Sequence, residues 1–157
     1  MGEKDNGDVY FVPAFSGLFS PHWDETARGA LFGLTRFSNK SHIARSVLES
    51  VAFQSFELLQ SMEKDLNIEF QNLKVDGGMV SNNLLMQFQS DILNKTIISQ
   101  EINEITALGA GIASFIFAKN LKIENVGDFI STSKTWNPNM SNESREDLLT
   151  SWFKAIE

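Results

Sequence analysis

Where an apolar run rich in strand formers (Leu73, Val75) gives way to an amphipathic helical pattern (Leu84, Leu85, Phe88, Ile92), the chain reads Val75-Asp76-Gly77-Gly78-Met79-Val80-Ser81-Asn82-Asn83. Two adjacent glycines at a strand-to-helix junction let the backbone take positive φ and leave its surface bare for a flat partner. Asn82, near the helix start, adds a carboxamide with two donors and an acceptor oxygen, which suits the edge of a purine base. The carboxyl end of a strand, against the next helix, is where open α/β sheets bind ligands. Taken alone, the segment also fits the bland use of Gly and Asn in a tight turn and a helix cap.

Asp76 has two readings. A carboxylate at a strand end can bind Mg²⁺ or act as a base; it can also accept backbone N–H bonds and shape the glycine turn, and that second role is the favoured one. Thr106 to Ala113 is dense in small residues within an apolar helix, with Gly109 and Gly111 inside it. A helical Gly costs roughly 1 kcal/mol relative to Ala, so two of them want a packing reason. Close helix–sheet packing is one reason, and a helix set tightly against another domain or a hinge is the other. A Rossmann fingerprint fails there, because Ser114 occupies the third glycine position and the run lies inside a helix. No GxxxxGK[ST] segment is present, which excludes a P-loop. Asp24 and Arg28, in the loop after Trp23, read as a loop ion pair worth little if exposed. Glu49, Glu57 and Glu63 are expected on solvated faces of a long helix.

The elements that must position these residues alternate. The first eight residues are polar and charged and read as a disordered lead-in; residues 9–157 are one globular domain, with 42% of the chain hydrophobic. Val9 to Val12 reads as a buried strand ended by Pro13. Residues 16–29 form a long loop with aromatics, of the kind often functional, and Ala30 to Leu34 is a second strand. The longest helix runs from an N-cap at Ser41 to about Leu66, with Asn67 as its stop. A strand near Leu73 to Asp76, a helix from about Asn82 to Leu93, a strand near Thr96 to Ser99 and a helix from about Thr106 to Lys119 follow. A short helix is expected from Asn125, and after Pro138 a final amphipathic helix runs from Glu143 to Ile156. This order predicts an α/β fold with parallel pairing through right-handed crossovers.

Composition narrows the function classes. A net charge of −7 and no window dense in Lys and Arg argue against nucleic acid. Absence of cysteine removes thiolate metal sites, disulfides and a Cys nucleophile. His22 and His42, far apart, give a metal site little support. No apolar run is long enough to span a bilayer, and no secretory segment follows Met1. The expectation is a soluble, cytoplasmic protein.

Several fragments converge on one resemblance. Gly29-Ala30-Leu31-Phe32-Gly33-Leu34, then seven residues, then His42-Ile43-Ala44-Arg45-Ser46-Val47-Leu48-Glu49, resembles the second signature of the FGGY carbohydrate kinases. Val12 to Leu18, with Pro21, Trp23, Ala27, Arg28 and Gly29, is similar to the loop of that family's glycerol-phosphorylating members, although His22 stands where they commonly carry Tyr. Val75 to Asn82 resembles the family's adenosine motif, and Thr106 to Ala113 its interdomain connecting helix.

The resemblance implies an actin-like (ribonuclease H-like) ATPase fold, a mixed sheet with parallel strands flanked by helices. It further implies the nucleotide-binding half of a two-domain kinase, lacking its first strands, with glycerol and ATP as substrates and Mg²⁺ as cofactor in the intact enzyme. Gly78, Met79, Val80, Ser81 and Asn82 would hold the adenosine part of ATP, Gly78 through its backbone and Asn82 through its amide. No catalytic residue and no metal ligand is expected in this chain, because the family's catalytic Asp, polyol-binding residues and phosphate loops lie in an N-terminal portion that would be its partner. A fragment of this kind is expected to be inactive alone, and its open sheet edge favours self-pairing into a homo-oligomer. The alternatives are another FGGY kinase of xylulose or gluconate type, or a non-catalytic actin-like module.

Overall fold

The computed structural model describes residues 4–102, 104–119, 124, 126–127 and 131–157. Among the described residues the elements run β1 (Tyr10–Val12), β2 (Ala30–Phe32), α1 (Lys40–Leu66), β3 (Asn72–Val75), α2 (Asn83–Leu93), β4 (Thr96–Gln100), α3 (Ile105–Lys119), β5 (Thr132–Trp136) and α4 (Asn142–Ile156), with strand and helix alternating from α1 onward. The short helix expected from Asn125 lies outside the described residues, as do the first three of the lead-in. The rest of the lead-in is folded: Asn6 is buried, its carbonyl accepts from Val9 N at 3.1 Å, and its side-chain oxygen accepts from Asp8 N.

Parallel pairing holds where a helix makes the crossover. β3 and β4, joined through α2, pair in parallel with Val75 beside Ser99. β1 and β2 are antiparallel, since the connection between them contains no helix to carry the chain back along the sheet. β5 is an unexpected strand, antiparallel to β4 with Trp136 opposite Ile97; its Thr-Ser-Lys-Thr-Trp sequence lacks the apolar run that marked the others. The result is α/β with a three-stranded mixed sheet, β3-β4-β5, and a separate β1-β2 ribbon.

Capping chemistry sets the limits of α1. Its N-cap is Asn39 rather than Ser41: the Asn39 side chain accepts from Ser41 N at 2.8 Å and from His42 N, while His42 Nδ1 accepts from Asn39 N. At the other end Asn67 takes the left-handed conformation (φ 52°) and stops the helix. The core centres on Phe53 of α1, whose ring stacks on Trp152 of α4 at 4.9 Å, meets Phe88 of α2 edge-on at 5.5 Å and touches Tyr10 of β1. Asp91 of α2 ties the segment entering α4 by accepting from Asn139 N at 2.7 Å and Met140 N.

Two expectations about charged residues fail. Glu49 and Glu57 do not lie on a solvated face; they are 2% and 5% exposed. A helix of this length wrapped by β1, the 16–29 loop and α4 has little free surface, so each buried carboxylate takes a basic partner. Arg45 Nε donates to Glu49 at 2.6 Å, and His22 Nε2 lies 2.6 Å from Glu57. Asp24 is not paired with Arg28. Its Oδ1 instead accepts from Thr26 N, Thr26 Oγ1 and Ala27 N, which holds its carboxyl below the usual range, and Arg28 donates to the carbonyls of Glu25 and Ala27.

Candidate nucleotide site

β3 delivers the chain to the double glycine, and Gly77 takes φ +89°, a conformation that costs a side-chain-bearing residue energy. A single 3₁₀ turn, Gly78–Ser81, follows. Val80 N donates to Gly77 O at 3.2 Å, Asn82 N to Met79 O at 3.0 Å and Ser81 Oγ to Gly78 O at 2.8 Å. Val80 is the anchor: it is buried in the core, while Gly78, Met79 and Ser81 stay exposed. The turn therefore presents peptide surface outward from a fixed position. Asn82 is the N-cap of α2, and its side-chain oxygen accepts from Leu85 N at 3.1 Å. Capping uses the acceptor half of the carboxamide and leaves its two amide protons for something else.

A Cβ placed on Gly78 would meet nothing within 4 Å. The chain itself thus gives no reason for glycine here, although a close-approaching ligand would. The Asp76 carboxylate does not do what was expected of it. It is exposed and makes no hydrogen bond among the described residues, so the turn is shaped by Val80, Ser81 and backbone bonds. Asp76 instead lines a recess of about 290 Å³ with Lys74, Val75, Gln100 and Ile105, directly beside the turn.

The small residues of α3 also have a different role from close helix–sheet packing. Cβ atoms on Gly109 and Gly111 would again meet nothing within 4 Å, α3 adds nothing to the buried core, and Phe117 is 91% exposed. Among the described residues nothing packs against these two glycines, and the reading of a helix set against another domain or a hinge stays an expectation. Among the described residues no three of His, Asp and Glu converge as a group. No described helix is long and apolar enough to cross a membrane.

Gly78 to Asn82 form one 3₁₀ turn that runs into the cap of α2, and Asp76 and Gln100 stand at the strand ends beside it. Gln100 escaped notice because nothing in its immediate neighbourhood singles it out. The signal available was positional: it ends the strand that pairs in parallel with the one leading to the glycines. His22 reads as a loop variation in the sequence, and its contact with Glu57, across thirty-five residues, needed the fold to appear.

The strand, double-glycine turn and capped helix sit at one end of a mixed sheet in an α/β frame. The chain belongs to the FGGY family of carbohydrate kinases: the profile of that family's C-terminal domain matches residues 1–118. Within it the chain is 48% identical over 155 residues to the glycerol kinase of Azorhizobium caulinodans and 49% identical to that of Brucella anthropi, covering 98% of this chain and 31% of each relative. A solved glycerol kinase of Plasmodium falciparum, with ADP, superposes with a TM-score of 0.87 at 34% identity, over 98% of this chain and 31% of that one. A xylulose kinase of Lactobacillus acidophilus (TM-score 0.76, 23% identity) shares the fold. The chain thus spans about a third of the length of the relatives it matches.

Proposed function

We propose that this chain forms the adenosine-holding part of an ATP-dependent glycerol kinase, a cytoplasmic phosphotransferase that converts glycerol and ATP to glycerol 3-phosphate and ADP. In that reaction the γ-phosphorus leaves the ADP oxygen for a hydroxyl oxygen of glycerol, and the hydroxyl proton passes to a base. Positioning and charge stabilisation carry most of such a transfer. This chain's share is positioning. Gly78 lets the nucleotide lie against bare peptide, the Asn82 amide donates to it, Met79 and Ser81 border it, and Val80 fixes the turn to the core. The base and the groups that bind glycerol would come from the N-terminal portion of the parent enzyme. The similarity to glycerol kinases at nearly half identity over almost the whole chain supports glycerol as acceptor. The open edges of β3 and β5 support self-association.

The observation that carries this reading is the unoccupied space over Gly78. Gly78→Ala is expected to leave the fold intact and to weaken ATP binding about tenfold, because a methyl group blocks close approach. Unchanged affinity for ATP in that variant would remove Gly78 from the site. Glycerol-dependent ADP release by the 157-residue chain alone would overturn the assignment of the base to another portion of the enzyme.

A further inference from the structure

The chain holds no cysteine, so its sulfur chemistry is confined to five methionines. Met1 lies outside the described residues, Met86 is buried and Met140 packs against the core. The exposed thioethers among the described residues are Met62, on α1, and Met79, which is 50% exposed in the glycine turn. Turn geometry keeps Met79 outside. Successive side chains of a 3₁₀ turn point about 120° apart, so with Val80 sunk in the core the Met79 side chain is directed away from it. The bond from Asn82 N to Met79 O and the Ser81 hydroxyl on Gly78 O hold the backbone on either side. Met79 is therefore the first side chain after the bare peptide of Gly78, and its backbone is fixed. A thioether is apolar and polarisable and packs well against an aromatic plane. Exposed to solvent, it is also open to oxidation, and the sulfoxide that forms is polar and chiral.

We propose that Met79 is a reversible oxidation site that controls nucleotide binding. The inference rests on the nucleotide reading of Gly78 to Asn82, with the Met79 thioether lying against the base. The oxidant is hydrogen peroxide. Its O–O bond breaks, one oxygen forms an S–O bond with the Met79 sulfur, and the other leaves as water with both peroxide protons. Sulfur gives up two electrons and the peroxide takes them. The product sets a strongly polar S–O group where an apolar flank stood, so a base lying there loses its packing and must displace water from the sulfoxide. Reduction of the sulfoxide restores the thioether and with it the flank.

Limited treatment of the 157-residue chain with hydrogen peroxide, each methionine being followed by peptide mass spectrometry, prepares the modified state. Met79 and Met62 are expected to oxidise before Met86 and Met140. At that stage the chain should melt where the untreated chain does and bind ATP about tenfold more weakly. Methionine sulfoxide reductase should restore the affinity. Met62→Leu is expected to lose as much affinity on treatment as the parent, whereas Met79→Leu, whatever its starting affinity, should lose none. Millimolar ATP should slow the oxidation of Met79 and leave that of Met62 unchanged. Equal ATP affinity before and after full conversion of Met79 would overturn the switch while leaving the nucleotide reading intact. A Met79→Leu variant that loses affinity on treatment as the parent does would overturn it in the same way. A folded, untreated chain that binds no ATP would overturn both.

Discussion

In the structure Gly33 and Gly78 each come shortly after a short strand, β2 and β3, and the fold treats them in opposite ways. Gly33 has φ +77°, and a Cβ there would lie 1.8 Å from the Asp8 carbonyl oxygen. Around it the chain is closed: β1 runs alongside, Tyr10 meets Phe53, and Trp152 stacks on the same ring. Gly78 faces open space, beside a recess lined by Asp76, whose carboxylate bonds to nothing described. One glycine is required by the chain's own backbone. The other meets nothing in the chain itself, as is also true of Gly109 and Gly111 in α3, and its proposed reason is a nucleotide lying against it.

The closed region should yield the largest losses. Phe53→Ala removes the ring shared by α1, α2, α4 and β1 and is expected to cost about 3–5 kcal/mol in urea unfolding. Gly33→Ala should cost on the order of 1–3 kcal/mol, because positive φ strains a residue with a Cβ and the Asp8 carbonyl must move as well. Gly78→Ala should stay within about 0.5 kcal/mol of the parent. Equal losses at the two glycines would break the comparison.

Asn82 sharpens it further, since it belongs to both regions. Asn82→Ala removes the α2 N-cap and is expected to cost about 1 kcal/mol. Asn82→Asp keeps a capping oxygen and should retain stability, but it lacks the amide protons and should lose nucleotide affinity as Ala does. Full ATP binding by the Asp variant would confine Asn82 to a capping role.

The smallest effect separates two carboxylates on α1. Burial raises the Glu49 pKa, with the Arg45 contact offsetting only part of it. Its folded value therefore lies above the unfolded one, and its contribution to stability is full below the unfolded value and is lost as pH rises through the folded one. At Glu63 burial also pushes upward, but the Phe70 backbone N–H and Lys95 outweigh it and the pKa is lowered. That contribution is present above the unfolded value and is lost as pH falls through the folded one. Unfolding free energies across the carboxylate range should show Glu49→Gln losing ground to the parent on acidification, and Glu63→Gln gaining it. Parallel slopes for the two variants would contradict the difference in environment.

Local signals explain why so much of the frame was legible. α1 ends at Asn67 as predicted because a single residue in left-handed conformation suffices to stop a helix. α2 and β4 begin and end within a residue or two of expectation, since their apolar periodicities belong to one face each. β5 was not legible because a strand of mostly polar residues gains its place from pairing with β4. The burial of Glu49 and Glu57 depends on which loop and helix settle over α1, and no local pattern carries that information. Gly78 and Asn82 could be singled out from residue type, but the vacancy over Gly78 and the partnerless oxygen of Gln100 are properties of space.

By itself the sequence determined the order and kind of most elements, the glycine turn at a strand end and the helix cap after it, because backbone preferences act over a few residues. Only the tertiary structure decided that Gln100 stands beside Asp76, that His22 reaches Glu57 and that Phe117 of α3 stands exposed. Those relations arise from strand register and from packing between segments far apart in the chain, where no short-range preference reaches.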